Sequence, residues 1–550
     1  MILKNTVKIK TKKNKFNYFL ILYFIFTLSI FCLFGIFFFT SALIKSKTTK
    51  ILEYLSKAGR IEYIHIFDIG YNAIKSNFYK LDKIELNIKF NDIIVIENER
   101  NKAIKNESLG IKDNLTKIDV TIKHNQEKIK AKIRLKGDRQ MHFKKKKHSS
   151  YNFYLSRDKY IYGVNNFTIH KPGARNYIHE WIFNELMGDL GLIKPKYEFF
   201  ELYINGSSNG LYAFEEKMAK ELIERNKRRY GPILSIETEY DRPTENPIFK
   251  IYDKKFWEKP ENIALAKIAK KKLSDFLKGK RSIENTFDLK KFASFFAVLD
   301  LTYTTHALFF NSKMYYNPIN GLFEPVPRDG HRQLPNYHKY NTNYYDKIIL
   351  DSVFETETFA VLGGNLQIPQ GRQWWVKKFF LKKNGTLNEN FYSLYITQLK
   401  KISSQNYINS FLKKRANQIK KINAHIYSDY FFYSSSRGYT WGLYYFNKDD
   451  LFHRGEVIRK RLQTEDKKIS AIIDNNKHLI IDAIYPYSSN KFKKVKLDSL
   501  KIESLNCYNS KKETTEILIN KKLNVYNNTQ FDLSLSGLEQ LTCTSIKVSD

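Results

Sequence analysis

Between Asn17 and Ile44 the chain carries 28 residues without a charged side chain. The hydrocarbon core of a bilayer needs about 20 apolar residues of helix, so this run is expected to cross it with some tilt. Six lysines (Lys4, Lys8, Lys10, Lys12, Lys13 and Lys15) precede it without an acid. The excess of lysine holds that end in the cytoplasm and sends everything after Lys45 across the membrane. A cleaved signal peptide has an apolar core of about 7–15 residues, so a retained signal-anchor fits better. No second run of this kind follows. The expectation is a single-pass membrane protein with its bulk, residues 46–550, extracytoplasmic.

That bulk has the composition of a folded protein. Apolar residues make up 42% of the 550 and charged residues 27%, enough for a large core and unlike a disordered chain. The formal net charge of +37 invites a nucleic-acid reading. A nucleic-acid binder gathers its cations on one face, whereas here lysine is spread throughout, so nucleic acid is not an expected partner. Three cysteines exclude a disulfide scaffold, and there is no CxxC. Cys32 lies in the apolar run, which leaves Cys507 and Cys543 as neighbours expected in an oxidising compartment.

Hydropathy patterning divides the chain into a basic tail (1–16), the membrane span (17–44), a stalk (45–80), a central domain (81–475) and a small β-rich C-terminal domain (476–550). Segments 84–90, 92–96, 117–124, 128–137, 150–155 and 166–171 read as strands, with a hairpin at His124-Asn125-Gln126-Glu127. Residues 174–190 have helical spacing and stop at Gly191. A second hairpin turns at Asn205-Gly206. Helices are expected over 261–280, 288–311, most of 372–425, and 447–465, with a further hairpin around 317–321. The fold class is α+β, and no internal repeat is visible.

Several familiar motifs fail. Gly206-Ser207-Ser208-Asn209-Gly210 has the spacing of a nucleophile elbow, but strands flank it on both sides where a helix must follow. His179-Glu180 opens like a zinc-protease motif, yet position 183 is Phe. The run Lys144–Lys147 reads as a solvated loop. No phosphate-binding Gly-rich loop occurs. Six Asn-x-Ser/Thr sites (Asn106, Asn114, Asn166, Asn205, Asn384, Asn527) are what an Asn-rich chain yields by chance.

One constellation suits a phosphate–metal site. Asn311 closes an expected helix and Asp329 follows a hairpin, within Glu324-Pro325-Val326-Pro327-Arg328-Asp329-Gly330. Phosphoryl transfer uses Mg²⁺ on hard oxygen ligands, commonly an Asn amide and an Asp carboxylate. The order of features from about 83 to 335 resembles the CotH family, the spore-coat-protein-H-like atypical protein kinases. The matching stretches are Arg134-Leu135-Lys136-Gly137-Asp138 and Lys146-Lys147-His148-Ser149-Ser150-Tyr151-Asn152-Phe153. Arg175-Asn176 and Asn311-Ser312-Lys313-Met314-Tyr315-Tyr316 also match, with Pro325-Val326-Pro327-Arg328-Asp329 after them. The most specific match is Leu202-Tyr203-Ile204-Asn205-Gly206 with Gly210-Leu211-Tyr212 and Glu215.

The resemblance implies a kinase-like two-lobe domain that uses ATP and Mg²⁺ (or Mn²⁺) to phosphorylate Ser or Thr, here on an envelope protein or a surface polymer. By position it makes Asn311 and Asp329 metal ligands and Lys147 (or Lys146) the phosphate-contacting lysine. Arg134 and Gly137 fall in the turn over the nucleotide, and Glu180 or Glu215 pairs with the lysine. The sequence also departs from the family pattern. His306 stands where the family has its catalytic Asp, and the second carboxylate after Asp329 is His331. A histidine can serve as general base near neutral pH. Asp300, on the same expected helix, is the substitute carboxylate. The competing readings are a catalytically inactive scaffold for surface or polysaccharide assembly, and a carbohydrate-active enzyme. For the last, no paired carboxylates can be named.

Overall fold

Alternation of β-branched with polar residues dominates positions 82–171, and it builds a closed barrel. The computed structural model describes residues 63–110, 115–137, 140–144, 147–237, 248–302, 304, 307, 313–330, 378–379, 388–430, 432–434, 441–443, 446–463 and the strands from 469 to 549. All of these fall within one unit, 63–335 with 343–550. Seven strands close the barrel: β1 (Asp82–Ile88), β2 (Ile118–His124), β3 (Glu127–Leu135), β4 (Tyr151–Leu155), β5 (Asn166–His170), β6 (Tyr197–Ile204) and β7 (Ser207–Glu216). Their order is β1-β2-β3-β4-β5-β7-β6, and β1 closes the ring in parallel on β6. On β3, Ile129, Ala131, Ile133 and Leu135 point inward, where they meet Phe153, Phe167, Phe200 and Phe214. Each fully buried Phe contributes roughly 1.5–3 kcal/mol relative to exposure.

The three expected hairpins form at the expected turns, two in the barrel and the third, around 317–321, between Lys313–Tyr316 and Phe323–Val326. Asn125 and Gln126, and likewise Asn205 and Gly206, all have positive φ, the requirement of a two-residue turn that matches strand twist. Asn205 does more than turn: its amide accepts from Ile88 N at 2.8 Å and donates to Ile88 O at 2.9 Å. The Asn-Gly pair is therefore the clasp that closes the barrel between β1 and β6. The nucleophile-elbow spacing at 206–210 lies in this hairpin, opening β7.

One expectation is corrected. Residues 92–96 are not a strand but belong to helix α2 (Phe90–Lys105), which follows α1 (Tyr63–Lys75) and β1. Ile96 and Ala103 are buried one above the other two turns apart, while Ile94 is 43% exposed. Packing on the barrel core selects the helical face and overrides the β propensity of four successive branched residues.

A second core lies between helices. It joins α3 (His179–Asp189), α5 (Pro260–Leu277), α6 (Leu289–Thr302), α7 (Glu389–Ser403), α8 (Gln405–Asp429) and α9 (Asp449–Gln463). Short α4 (Lys220–Arg225) precedes the four-stranded sheet β11-β10-β8-β9, built from β8 (Ile233–Glu237), β9 (Ile248–Ile251), β10 (Lys313–Tyr316) and β11 (Phe323–Val326). Phe379 packs at 4.7–5.1 Å from the rings of Phe287, Phe292 and Phe391 at the centre of this core. Helix α6 ends at Thr302, nine residues before the expected 311.

Beyond the hairpin β12–β13 (Phe432–Ser434, Trp441–Leu443), six strands form a C-terminal sheet that begins at Ile469, ahead of the expected boundary at 476. There Cys507 and Cys543 are register partners on adjacent antiparallel strands, so the two are neighbours as expected. Among the described residues no helix is long and apolar enough to cross a membrane, and the span 17–44 lies outside them.

Candidate functional site

Four segments converge outside the barrel on one carboxylate, Glu215. It lies near the end of β7, and its side chain is 7% exposed. Lys136, one residue past β3, places Nζ 3.0 Å from Glu215 Oε2 and donates to Thr168 Oγ1 at 3.0 Å. Thr168 in turn donates to Glu215 Oε2 at 3.3 Å. His170 Nε2, at the end of β5, is 3.5 Å away. Arg175 approaches to 3.7 Å from a single 3₁₀ turn, Pro172–Arg175, and Arg328 to 3.3 Å from the segment after β11. Strand alternation explains why these side chains meet: on β3 the odd positions 129–135 fill the barrel, which turns Arg134 and Lys136 outward.

The second carboxylate is Asp329. Arg175 bridges the two acids, with its guanidinium 2.5 Å from Asp329 Oδ1. Asp329 is 7% exposed and adopts φ +53°, a left-handed conformation that Asp and Asn tolerate better than other L-residues. The loop is pinned from behind. Gly330 O accepts from Thr304 Oγ1 at 2.9 Å, and the ring of Phe183 fills the space a Cβ at Gly330 would need.

The electrostatics follow from burial and proximity. Burial by itself raises the Glu215 carboxyl, but Lys136, Arg175 and Arg328 outweigh it and hold the group well below the usual carboxylate range. Burial lowers Lys136, with Glu215 opposing. Arg175 is raised because Asp329, Glu215 and Glu180 together overcome its desolvation. His142 and His170 are both lowered, by burial first and then by neighbouring cations, with Glu215 opposing at His170.

Of the residues named from sequence, the structure brings Glu215 and Asp329 together through Arg175. Glu180, on α3, is buried and acts electrostatically on Arg175. The lysine beside Glu215 is Lys136 and not Lys147, which is exposed in the turn before β4; Lys146 lies outside the described residues. Arg134 donates from Nε to Tyr154 Oη at 3.2 Å. Asp300 is corrected as a substitute base: it is 1% exposed, hydrogen-bonded by Tyr395 and 3.9 Å from Arg454, within the helical core. Burial raises its carboxyl well above normal, and a base so enclosed has no route to a substrate hydroxyl. His306, Asn311 and His331 lie outside the described residues. Lys136, His170, Arg175 and Arg328 were given no role from sequence, although all but His170 stand in quoted motifs.

Gly137 bears directly on Lys136. Its φ is +120°, and a Cβ there would come within 2.3 Å of the buried His142 side chain, which is itself held by Ser150 at 2.9 Å. Gly137→Ala is expected to lower stability by at least the 1–3 kcal/mol of a forbidden backbone conformation, about the low end before the clash is added. Thermal unfolding checks this, and an unchanged melting temperature contradicts it.

These donors meet a divalent metal's needs only in part. Among the described residues no cluster of three His, Cys, Asp or Glu side chains is placed to hold an ion. Mg²⁺ in phosphoryl-transfer sites takes only one or two protein ligands and completes its shell with phosphate oxygens and water, and the Asp329 carboxylate is of that chemistry. Arg175 would have to share it.

The family model described as CotH kinase protein matches residues 133–473, well over half of the 550. That stretch contains Lys136, Arg175, Glu215 and Asp329. No curated protein matches the chain.

Proposed function

Because this chain belongs to the CotH kinase protein family, we propose that it is a nucleotide- and divalent-metal-dependent protein kinase of two-lobe build, held to the membrane by residues 17–44. In this reading its bulk is extracytoplasmic and phosphorylates Ser or Thr on an envelope protein or a surface polymer. The observation that carries it is the buried Lys136–Glu215 pair at 3.0 Å, linked by Arg175 to the Asp329 carboxylate. A lysine fixed by a glutamate, and an aspartate for the metal, are the parts that phosphoryl transfer requires of the protein. Glu215 holds Lys136 in one orientation so that its charge is available to phosphate oxygens. Asp329, with Asn311, would hold Mg²⁺, which supplies charge neutralisation between the phosphates when bound. His306 is the proposed base for the acceptor hydroxyl.

A second reading has its own support. Arg175 already neutralises Asp329, and His306 replaces the family's catalytic carboxylate, as suits an inactive scaffold in surface assembly. Transfer of label from the γ-phosphate of ATP by the full-length protein separates the two. The kinase reading expects Mg²⁺-dependent labelling that Lys136→Met reduces by at least about 10²-fold, while Asp300→Asn leaves it within a few-fold. No labelling with Mg²⁺ or Mn²⁺ favours the scaffold.

A further inference from the structure

Three cations meet around one aromatic ring beside this cluster. Tyr154 lies on β4, and its ring carries Lys217 Nζ at 3.9 Å and Lys117 Nζ at 4.4 Å from the centroid, with Arg134 on its hydroxyl at 3.2 Å. The three come from separate strands or their ends: Lys117 just ahead of β2, Arg134 on β3, and Lys217 just past β7. Lys217 is two residues from Glu215 and Arg134 two from Lys136, so this group borders the carboxylate site. Among the described residues, no carboxylate lies within 4 Å of Lys117 or Lys217 that would explain their convergence.

We propose that Lys117, Arg134 and Lys217, gathered on Tyr154, form an oxyanion site for a phosphate-bearing ligand. Like charges brought together under partial burial repel one another, and a multiply charged oxyanion is the species that relieves this best. One guanidinium and two ammonium groups supply the donor types that phosphate oxygens accept from. The strain is visible at Lys217, which burial first, and then Arg134, Lys136, Lys117 and Arg328, bring down to about 7. Two sources have the right chemistry, the phosphate chain of a nucleotide and a phosphoryl group on an acceptor. In naming phosphate the proposal rests on the kinase reading, whereas its geometry does not.

The test is calorimetric titration of full-length protein, in non-ionic detergent without metal, with inorganic tripolyphosphate. Lys217→Met is expected to weaken binding about tenfold or more, the worth of one charge-assisted contact. Its melting temperature should hold or rise, since a desolvated charge among cations has been removed. Between about pH 6 and pH 8 the wild type should lose affinity faster than Lys217→Met, because only the wild type carries the Lys217 ammonium that deprotonates over this range. Repeating the titration with ATP and with a phosphoserine peptide identifies the source: parallel weakening for ATP assigns the nucleotide, and weakening for the peptide alone assigns the acceptor. Equal binding of all three probes by both proteins, or no binding of tripolyphosphate by the wild type, overturns the site. A protein that transfers no phosphate yet loses tripolyphosphate affinity in Lys217→Met refutes the kinase reading and leaves this one standing.

Discussion

Glu215→Gln is expected to cost about 3–5 kcal/mol of stability, the penalty of stranding buried cations without their countercharge. Lys136, Arg175, Arg328 and His170 all lean on this one carboxylate from different segments, so its loss loosens the barrel exit and the loop after β11 together. In a thermal melt the midpoint should fall by roughly 5–10 °C. The acid limb should change as well. A carboxyl held below its unfolded value contributes stability that is complete above about pH 4.3 and is lost as pH falls through the folded value. The Gln variant should lack that step. His142 and His170, also lowered in the fold, penalise folding from about pH 6.5 downward, and the His142 part should persist in the variant. Adding Lys136→Met to Glu215→Gln removes one stranded charge and should recover part of the loss. Additive effects in the double variant, or a melt like that of the wild type, would show that the pair is not coupled.

Asp329→Asn is expected to remove metal-dependent nucleotide affinity, at some cost in stability because Arg175 loses the nearer of its two carboxylates. Asp329 is buried against Arg175, so cutting it back to Ala carries a structural cost of its own. Asn is the informative substitution: it keeps the shape, tolerates φ +53°, and still accepts a hydrogen bond from the guanidinium. Ala would add backbone strain and leave a guanidinium N–H without its acceptor, and would confuse unfolding with lost ligation. Arg175 retains Glu215 at 3.7 Å as a partner in either variant.

The barrel was largely legible because period-two alternation and Asn-Gly turns are local signals. β2, β3, β4 and β5 fall where alternation puts them, and both hairpins turn where expected. The segment 92–96 was misread because a run of branched residues carries no period, and only contact with the barrel decides its state. Glu215 and Asp329 were identified through the family resemblance, and the structure places both beside Arg175. Lys136 was passed over in favour of the four-lysine run because its partner lies 79 residues away, and ion pairing at that range leaves no mark in a sequence. Its position two residues after Arg134, on the outward phase of β3, was the signal available. Asp300 has the opposite history. Helical spacing can set it on α6, but only the packing of α7 and α9 reveals that Tyr395 and Arg454 enclose it.

The phosphate–metal site stands or falls on whether Asp329 joins a divalent ion to a nucleotide. Isothermal titration of the full-length protein with ATP, with and without Mg²⁺, for the wild type and Asp329→Asn, measures that coupling directly. The expected result is wild-type affinity at least about tenfold higher with Mg²⁺ than without, and no Mg²⁺ effect in Asp329→Asn titrated well below its own melting temperature. Wild-type binding indifferent to Mg²⁺, or a Mg²⁺ effect that survives intact in Asp329→Asn, would contradict the assignment.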